Sequence, residues 1–371
     1  MLRIALLVLF AASVVLCFLS VWIVVPAPHD FVYPLAVGAP EVSPILLGAG
    51  VILLLICARH RRRHLLAHFA FVLAAIGTLL SLVPVVQLPS TLASFDRAMT
   101  TTTTTAPGPL TGDVRVTRDV PFSKADGVPL SLDVYQPAAR GPVPIIMQIY
   151  GGSWQSGTPR NQEWFSRYFA ERGYLVIAID YRHAPEWKWP EQIVDVRTAL
   201  YWVSQEAGKF GGDQCRIVLV GRSAGAQLAM RLAYQEGPSS IRGVVNYYGP
   251  VDLADGWRQP PRPDPANVRG ILEAFIGGTP SQKPEHYKHA SPITWVSKAA
   301  APTLSLYGSR DHIVEARFGR MLDAAMKNAG ATSVLLELPW SEHSFDAVPM
   351  GIGRKVALNY TERFIAWAVQ R

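Results

Sequence analysis

Apolar positions follow two regimes along the chain. Up to about residue 88 they run nearly unbroken. From residue 113 they come in short blocks separated by polar, glycine- and proline-containing stretches. Ile4–Val25 is an uncharged apolar run of 22 residues, and a bilayer crossing takes about 20. Ser43–Ala58 is a shorter run, cut off from Tyr33 by Glu41, and Leu65–Leu88 is a third. The pattern predicts a membrane region over residues 1–88 with about three transmembrane helices, at 4–25, 43–58 and 65–88. The rival reading of the first run is a cleaved signal peptide, but its apolar core is long for one and no small-x-small cleavage site follows. Pro89–Gly112 holds six consecutive threonines, Thr100–Thr105, then Ala-Pro-Gly-Pro, and reads as a polar linker.

Beyond Asp113 the blocks alternate between strand and helix patterns, which predicts an α/β domain over 113–371. Val114–Val120 and Leu130–Tyr135 form an expected antiparallel pair turning at Asp126-Gly127. Val143–Tyr150, Tyr174–Asp180, Arg216–Val220, Gly243–Tyr248, Pro302–Tyr307 and Val334–Leu338 bring the strands to about eight, mostly parallel and flanked by helices. The stretch 252–297, rich in Pro, Trp and charge, breaks the alternation and reads as a cap-like insertion near the strand ends, where substrate pockets lie.

Charge sharpens this division. Charged residues make up only 17% of the chain against 49% hydrophobic, with a net charge of +7. The first 112 residues hold Arg3, Arg59, Arg61, Arg62, Arg63 and Arg97 against Asp30, Glu41 and Asp96. The remainder is left with an ordinary net of +4, so nothing argues for nucleic acid. The basic loop Arg59–His64 between two apolar runs belongs on the cytoplasmic side. That puts the N-terminus inside and both Pro26–Val42 and the α/β domain outside. Three apolar runs without an internal acid or lysine disfavour a transporter. Of three cysteines, Cys17 and Cys57 lie in apolar runs and Cys215 stands alone, expected buried or half-buried. No Cys-x-x-Cys pair occurs, so neither a metal site nor a disulfide framework is indicated.

The chemistry centres on Val218–Gln227. An apolar strand runs into Gly221-Arg-Ser-Ala-Gly225 and then a helical stretch, the strand–turn–helix setting of a nucleophile elbow with Ser223 at its apex. A serine hydroxyl is a weak nucleophile and needs a histidine base oriented by an acid. Asp311 and His343 follow on loops after two later strands, in the order Ser, Asp, His. His312, Asp346 and Asp252 are weaker competitors. Oxyanion donors are expected from the N–H of Ala224 and from Gly151 and Gly152 in the loop Tyr150-Gly-Gly-Ser-Trp154. Ser153, Trp154 and Trp340 are candidates for contact with substrate.

These blocks resemble the α/β-hydrolase superfamily. They are similar to the hormone-sensitive-lipase-like carboxylesterases and the feruloyl/acetylxylan-esterase-like group. Tyr150-Gly-Gly-Ser-Trp154 resembles their His-Gly-Gly-Gly-Trp loop, and Asp180-Tyr-Arg-His-Ala-Pro-Glu186 their Asp-Tyr-Arg-Leu-Ala-Pro-Glu block. Tyr150, Ser153 and Arg222 depart from the usual residues. The resemblance implies a serine carboxylesterase or lipase acting on a small-molecule or lipid ester through an acyl-enzyme, without metal or organic cofactor. The alternatives are a peptidase or amidase on the same fold and a non-catalytic membrane-tethered binding module.

Overall fold

The computed structural model describes residues 2–100, 112–139, 141–236 and 240–371. Among the described residues, three helices are long and apolar enough to cross a membrane: α1 (Leu2–Val21), α3 (Ser43–His60) and α4 (Leu65–Ala98), with the short α2 (Tyr33–Glu41) between the first two. α1 ends four residues short of the apolar run, which closes in turns at Trp22–Val25 before Pro26. Outward-facing Leu7, Ile52, Leu55, Phe69 and Leu79 remain exposed, as a lipid-facing surface requires.

α4 departs from the expectation that a linker begins at Pro89. It continues to Ala98, and at 34 residues it is about 50 Å long, well beyond the ~30 Å hydrocarbon thickness. A proline inside a helix loses a hydrogen bond and crowds the preceding turn. Here tertiary packing outweighs that cost, because Leu88, Leu92, Phe95 and Met99 join the main core and Phe95 meets Tyr360 edge-on at 5.3 Å. Asp96 accepts from Arg363 at 2.6 Å and from the Tyr360 hydroxyl at 3.1 Å. Thr101–Thr105 and the rest of the expected linker up to residue 111 lie outside the described residues.

The β-branched and aliphatic runs become the inner strands because a sheet covered on both faces buries their side chains, while the edge strand at 115–125 stays exposed or half-buried. Among the described residues there are eight strands. They are β1 (Arg115–Ala125), β2 (Val128–Gln136), β3 (Val143–Ile149), β4 (Leu175–Ile179), β5 (Gly212–Arg222), β6 (Ile241–Tyr247), β7 (Thr303–Gly308) and β8 (Ser333–Leu338). They lie in the order β1-β2-β4-β3-β5-β6-β7-β8. β1 and β2 form the antiparallel pair, β2 meets β4 antiparallel, and all later pairings are parallel. Flanking helices are α5 (Glu163–Ala170), α6 (Glu191–Glu206), α7 (Ala224–Glu236), α11 (Arg317–Asn328) and α12 (Ile352–Ala368). The insertion folds into α8 (Leu253–Arg258), α9 (Val268–Ile276) and α10 (Pro284–Ala290). Cys215 is exposed rather than buried, because β5 begins at Gly212 and this end of it lies at the surface.

Candidate active site

Parallel strands all point their carboxyl ends to one edge, and loops leaving that edge meet there. β5, the fifth strand in the sheet order, ends in the sharpest of these turns. Ser223 has φ 50°, a left-handed conformation that a side chain rarely adopts and that marks a strained functional turn. α7 starts at once, packed so closely that a Cβ on Gly225 would stand 2.3 Å from the carbonyl oxygens of Ile149 and Tyr150. Only glycine permits that approach, so the elbow and the end of β3 are locked together.

His343 and Asp311 come from the loops after β8 and β7. His343 Nε2 lies 3.0 Å from Ser223 Oγ, and His343 Nδ1 lies 2.7 Å from Asp311 Oδ2. The other Asp311 oxygen accepts the N–H groups of Ile313 at 2.8 Å and Val314 at 2.7 Å, which fixes the carboxylate's direction. Asp311 and His343 are buried and Ser223 is half-buried. The three residues expected to act together are therefore brought into one hydrogen-bonded chain.

The weaker competitors are occupied elsewhere. The His312 ring contacts Glu342, and that hydrogen bond holds its imidazole above its ordinary value. Asp252 caps α8 by accepting from the Asp255 N–H at 3.0 Å. Asp346 forms a buried ion pair with Arg222, Nε to Oδ2 2.6 Å, and also accepts from the Tyr248 hydroxyl. Arg222, the unusual residue before the serine, thus turns inward between Phe165 and Tyr247, its guanidinium 4.4 and 4.6 Å from their ring centroids.

Gly151, Gly152 and Ser153 line the polar side of the space at Ser223, together with Tyr248 and His343. Among the described residues, no turn, loop, cap or side-chain acceptor takes the N–H of Gly151, Gly152, Ser153 or Ala224. Tyr150 anchors this loop. Its hydroxyl donates to Asp180 at 2.5 Å, lies 2.8 Å from His183 Nε2, and its ring stacks on Tyr181 at 4.5 Å. On the other side of Ser223 is a narrow apolar pocket walled by Leu253, Val268, Ile271, Leu272, Val314 and Phe318. Ser153 and Trp154 reach it. Trp154 is mainly a strut: its ring stacks on Phe275 at 4.1 Å and its Nε1–H donates to Gln227.

Trp340 does not join them. It is 1% exposed, belongs to the core and lines neither space at Ser223. The turn after β8 sends it into the domain while His343, three residues on, faces the serine. Two contributors went unseen in the sequence. Tyr248 lies 4.4 Å from the His343 ring, and Glu41 holds the His343 loop from outside the α/β domain. The only local signal for Tyr248 is its place at the end of β6, and no local signal exists for Glu41. Among the described residues no group of His, Cys, Asp and Glu is arranged to hold a metal ion.

A sheet in this order, with an elbow after β5 and these strand-end loops, is an α/β-hydrolase. The chain belongs to the BD-FAE family, whose model matches residues 132–326. It is similar to "Esterase LipQ" of Mycobacterium tuberculosis, 31% identical over 68% of this chain and 62% of that protein. It is also similar to "Esterase LipC" of the same organism, 34% identical over 55% of this chain and 54% of that protein. The match thus spans less than two thirds of these curated relatives' length. Among solved structures, that of Thermogutta terrifontis esterase 2 phosphonylated by sarin is similar at 25% identity and TM-score 0.59, covering 70% of this chain and 96% of that one.

Proposed function

We propose that the protein is a membrane-anchored serine carboxylesterase. The observation that carries this reading is the hydrogen-bonded chain Ser223–His343–Asp311, with contacts of 3.0 and 2.7 Å. His343 Nε2 takes the proton as Ser223 Oγ attacks the ester carbonyl, and Asp311 holds the imidazole in the tautomer with its proton on Nδ1. The carbonyl oxygen becomes an oxyanion held by the N–H groups of Gly151, Gly152 and Ala224, in a site where such dipoles cost no reorganisation. Collapse breaks the bond to the alkoxy group, which leaves as the alcohol with the proton from His343. Water then gives a proton to His343 and its oxygen to the acyl carbon; as the bond to Ser223 Oγ breaks, His343 returns that proton to Oγ, and the carboxylic acid leaves. None of these steps needs a metal or an organic cofactor. The apolar pocket beside Ser223 suits the acyl chain, and Ser153 and Trp154 at its mouth would meet the substrate.

The three long apolar helices support anchoring, with the cytoplasm on the side of the Arg59–His64 loop. In that topology Pro26–Val42 and the α/β domain share the outer face, in keeping with the contact of Glu41 on the His343 loop. The esters offered to this site are then small diffusible or lipid esters outside the cytoplasm.

Full-length protein in lipid nanodiscs should turn over short-chain nitrophenyl esters, and Ser223→Ala should abolish turnover. Retained turnover in the alanine variant would sink the reading. Cleavage of anilides at rates matching the esters would favour an amidase.

A further inference from the structure

His343 sits on the loop Pro339–Phe345, and most of what grips this loop belongs to its own domain. The Arg310 N–H donates to the Ser341 carbonyl at 3.1 Å, and Glu342 accepts the His312 N–H at 3.0 Å. One grip comes from far away in the chain. Ser341 Oγ, two residues before His343, donates to Glu41 Oε1 at 2.6 Å, and the Gly353 N–H donates to Glu41 Oε2 at 2.6 Å. Glu41 closes α2, lies just before the second long apolar helix, and is fully buried.

The receiving surface is shaped for this carboxylate. α12 begins at Ile352 with Gly351 as its N-cap, and so has no side-chain cap of its own. The first N–H groups of a helix need acceptors and carry partial positive charge. Glu41 meets both needs at Gly353. A Cβ at Gly353 would stand 2.7 Å from both carboxylate oxygens, so only glycine leaves room. At the opposite end of α2, Tyr33 packs beside the same loop. Its burial, with the charges of Asp311 and Glu342 nearby, pushes its phenol well above the ordinary value.

We infer that Glu41 is a positioning residue for His343. The segment Tyr33–Glu41 between the first two membrane helices completes the active site by fixing the loop that presents the base to Ser223. This rests on the esterase reading. It makes catalysis depend on the membrane portion through a buried hydrogen-bonded contact, and it sets the active site at the bilayer surface instead of leaving it on a loose tether. A buried donor stripped of its acceptor keeps its desolvation cost. Loss of Glu41 therefore leaves both Ser341 and Gly353 in want of a partner, and the loop can relieve that only by moving.

The test compares wild type, Glu41→Leu, Glu41→Gln and Ser341→Ala as full chains in nanodiscs. It reads kcat and KM on a short-chain nitrophenyl ester, and hydrogen exchange over residues 339–353. Glu41→Leu should lower kcat about tenfold or more, leave KM within about twofold and speed exchange in that segment. Glu41→Gln can still accept from Gly353 and can donate to the Ser341 hydroxyl, so it should keep kcat within about threefold. Ser341→Ala, the milder change, should fall between them and serves if Glu41→Leu does not fold. Wild-type kcat in Glu41→Leu, a loss confined to KM, or wild-type kcat and exchange in Ser341→Ala overturns the inference. If wild type itself fails to hydrolyse esters, the esterase reading fails instead. Hydrogen exchange then decides the contact alone: faster exchange in Glu41→Leu upholds it and unchanged exchange overturns it.

Discussion

Replacing Glu41 by glutamine should change how stability depends on pH. Burial pushes the Glu41 carboxyl from 4.5 up to about 7; the hydrogen bonds from Ser341 and Gly353 oppose the rise and the Asp346 charge adds to it. The folded protein therefore holds a proton on Glu41 between those values, where the unfolded chain has released it. A folded state that binds more protons loses stability as pH rises. The loss begins near pH 4.5, grows to about 7 and is then complete. A rise of this size corresponds to roughly 3 kcal/mol. Glu41→Gln cannot titrate, so every other group contributes alike to both proteins and the difference between them isolates Glu41. Thermal unfolding in nanodiscs, followed by tryptophan fluorescence from pH 5 to 8, should show the variant gaining on wild type by about 3–6 °C in Tm across that range. Parallel Tm curves would refute the reasoning, because they would mean the Glu41 carboxylate is as well solvated in the fold as in the unfolded chain.

Two further outcomes follow from the site. Asp311→Asn removes the acceptor 2.7 Å from His343 Nδ1 and should lower kcat by about 10³–10⁴ with KM little changed; a loss under tenfold would assign the orienting role to another acid. Arg222→Leu strands the buried Asp346 carboxylate and should cost about 3–5 kcal/mol in thermal unfolding, with Asp346→Asn in the same chain recovering part of it. Simple additivity of the two substitutions would show that the pair does not interact.

How legible the molecule was depended on the range of the interaction. The elbow could be read because a strand, a glycine-framed serine and a helix form one continuous local pattern. Asp311 and His343 followed because parallel strands deliver their loops to a common edge. The eight-stranded order likewise follows from apolar blocks and an opening antiparallel turn at Asp126-Gly127. Glu41 illustrates what stays hidden. In one dimension it is a charge that spoils an apolar run; its partners Ser341 and Gly353 are 300 and 312 residues away. Pro89 misled in the same manner, since its helix-breaking tendency is outweighed by Phe95 and Asp96 docking on α12. Trp340 misled because residues of one tight turn face different ways: it is buried in the core while His343, three residues on, meets Ser223, so nearness in sequence to His343 says nothing about facing the substrate.

The catalytic role of Ser223 is tested most simply by the mass of the peptide that bears it after the protein in nanodiscs is treated with a fluorophosphonate. One phosphonyl adduct per chain is expected, on Ser223, the serine that stands 3.0 Å from His343 Nε2, absent in Ser223→Ala and slow to form in His343→Ala. A folded wild-type protein that carries no adduct, or carries it on another residue, would contradict that role.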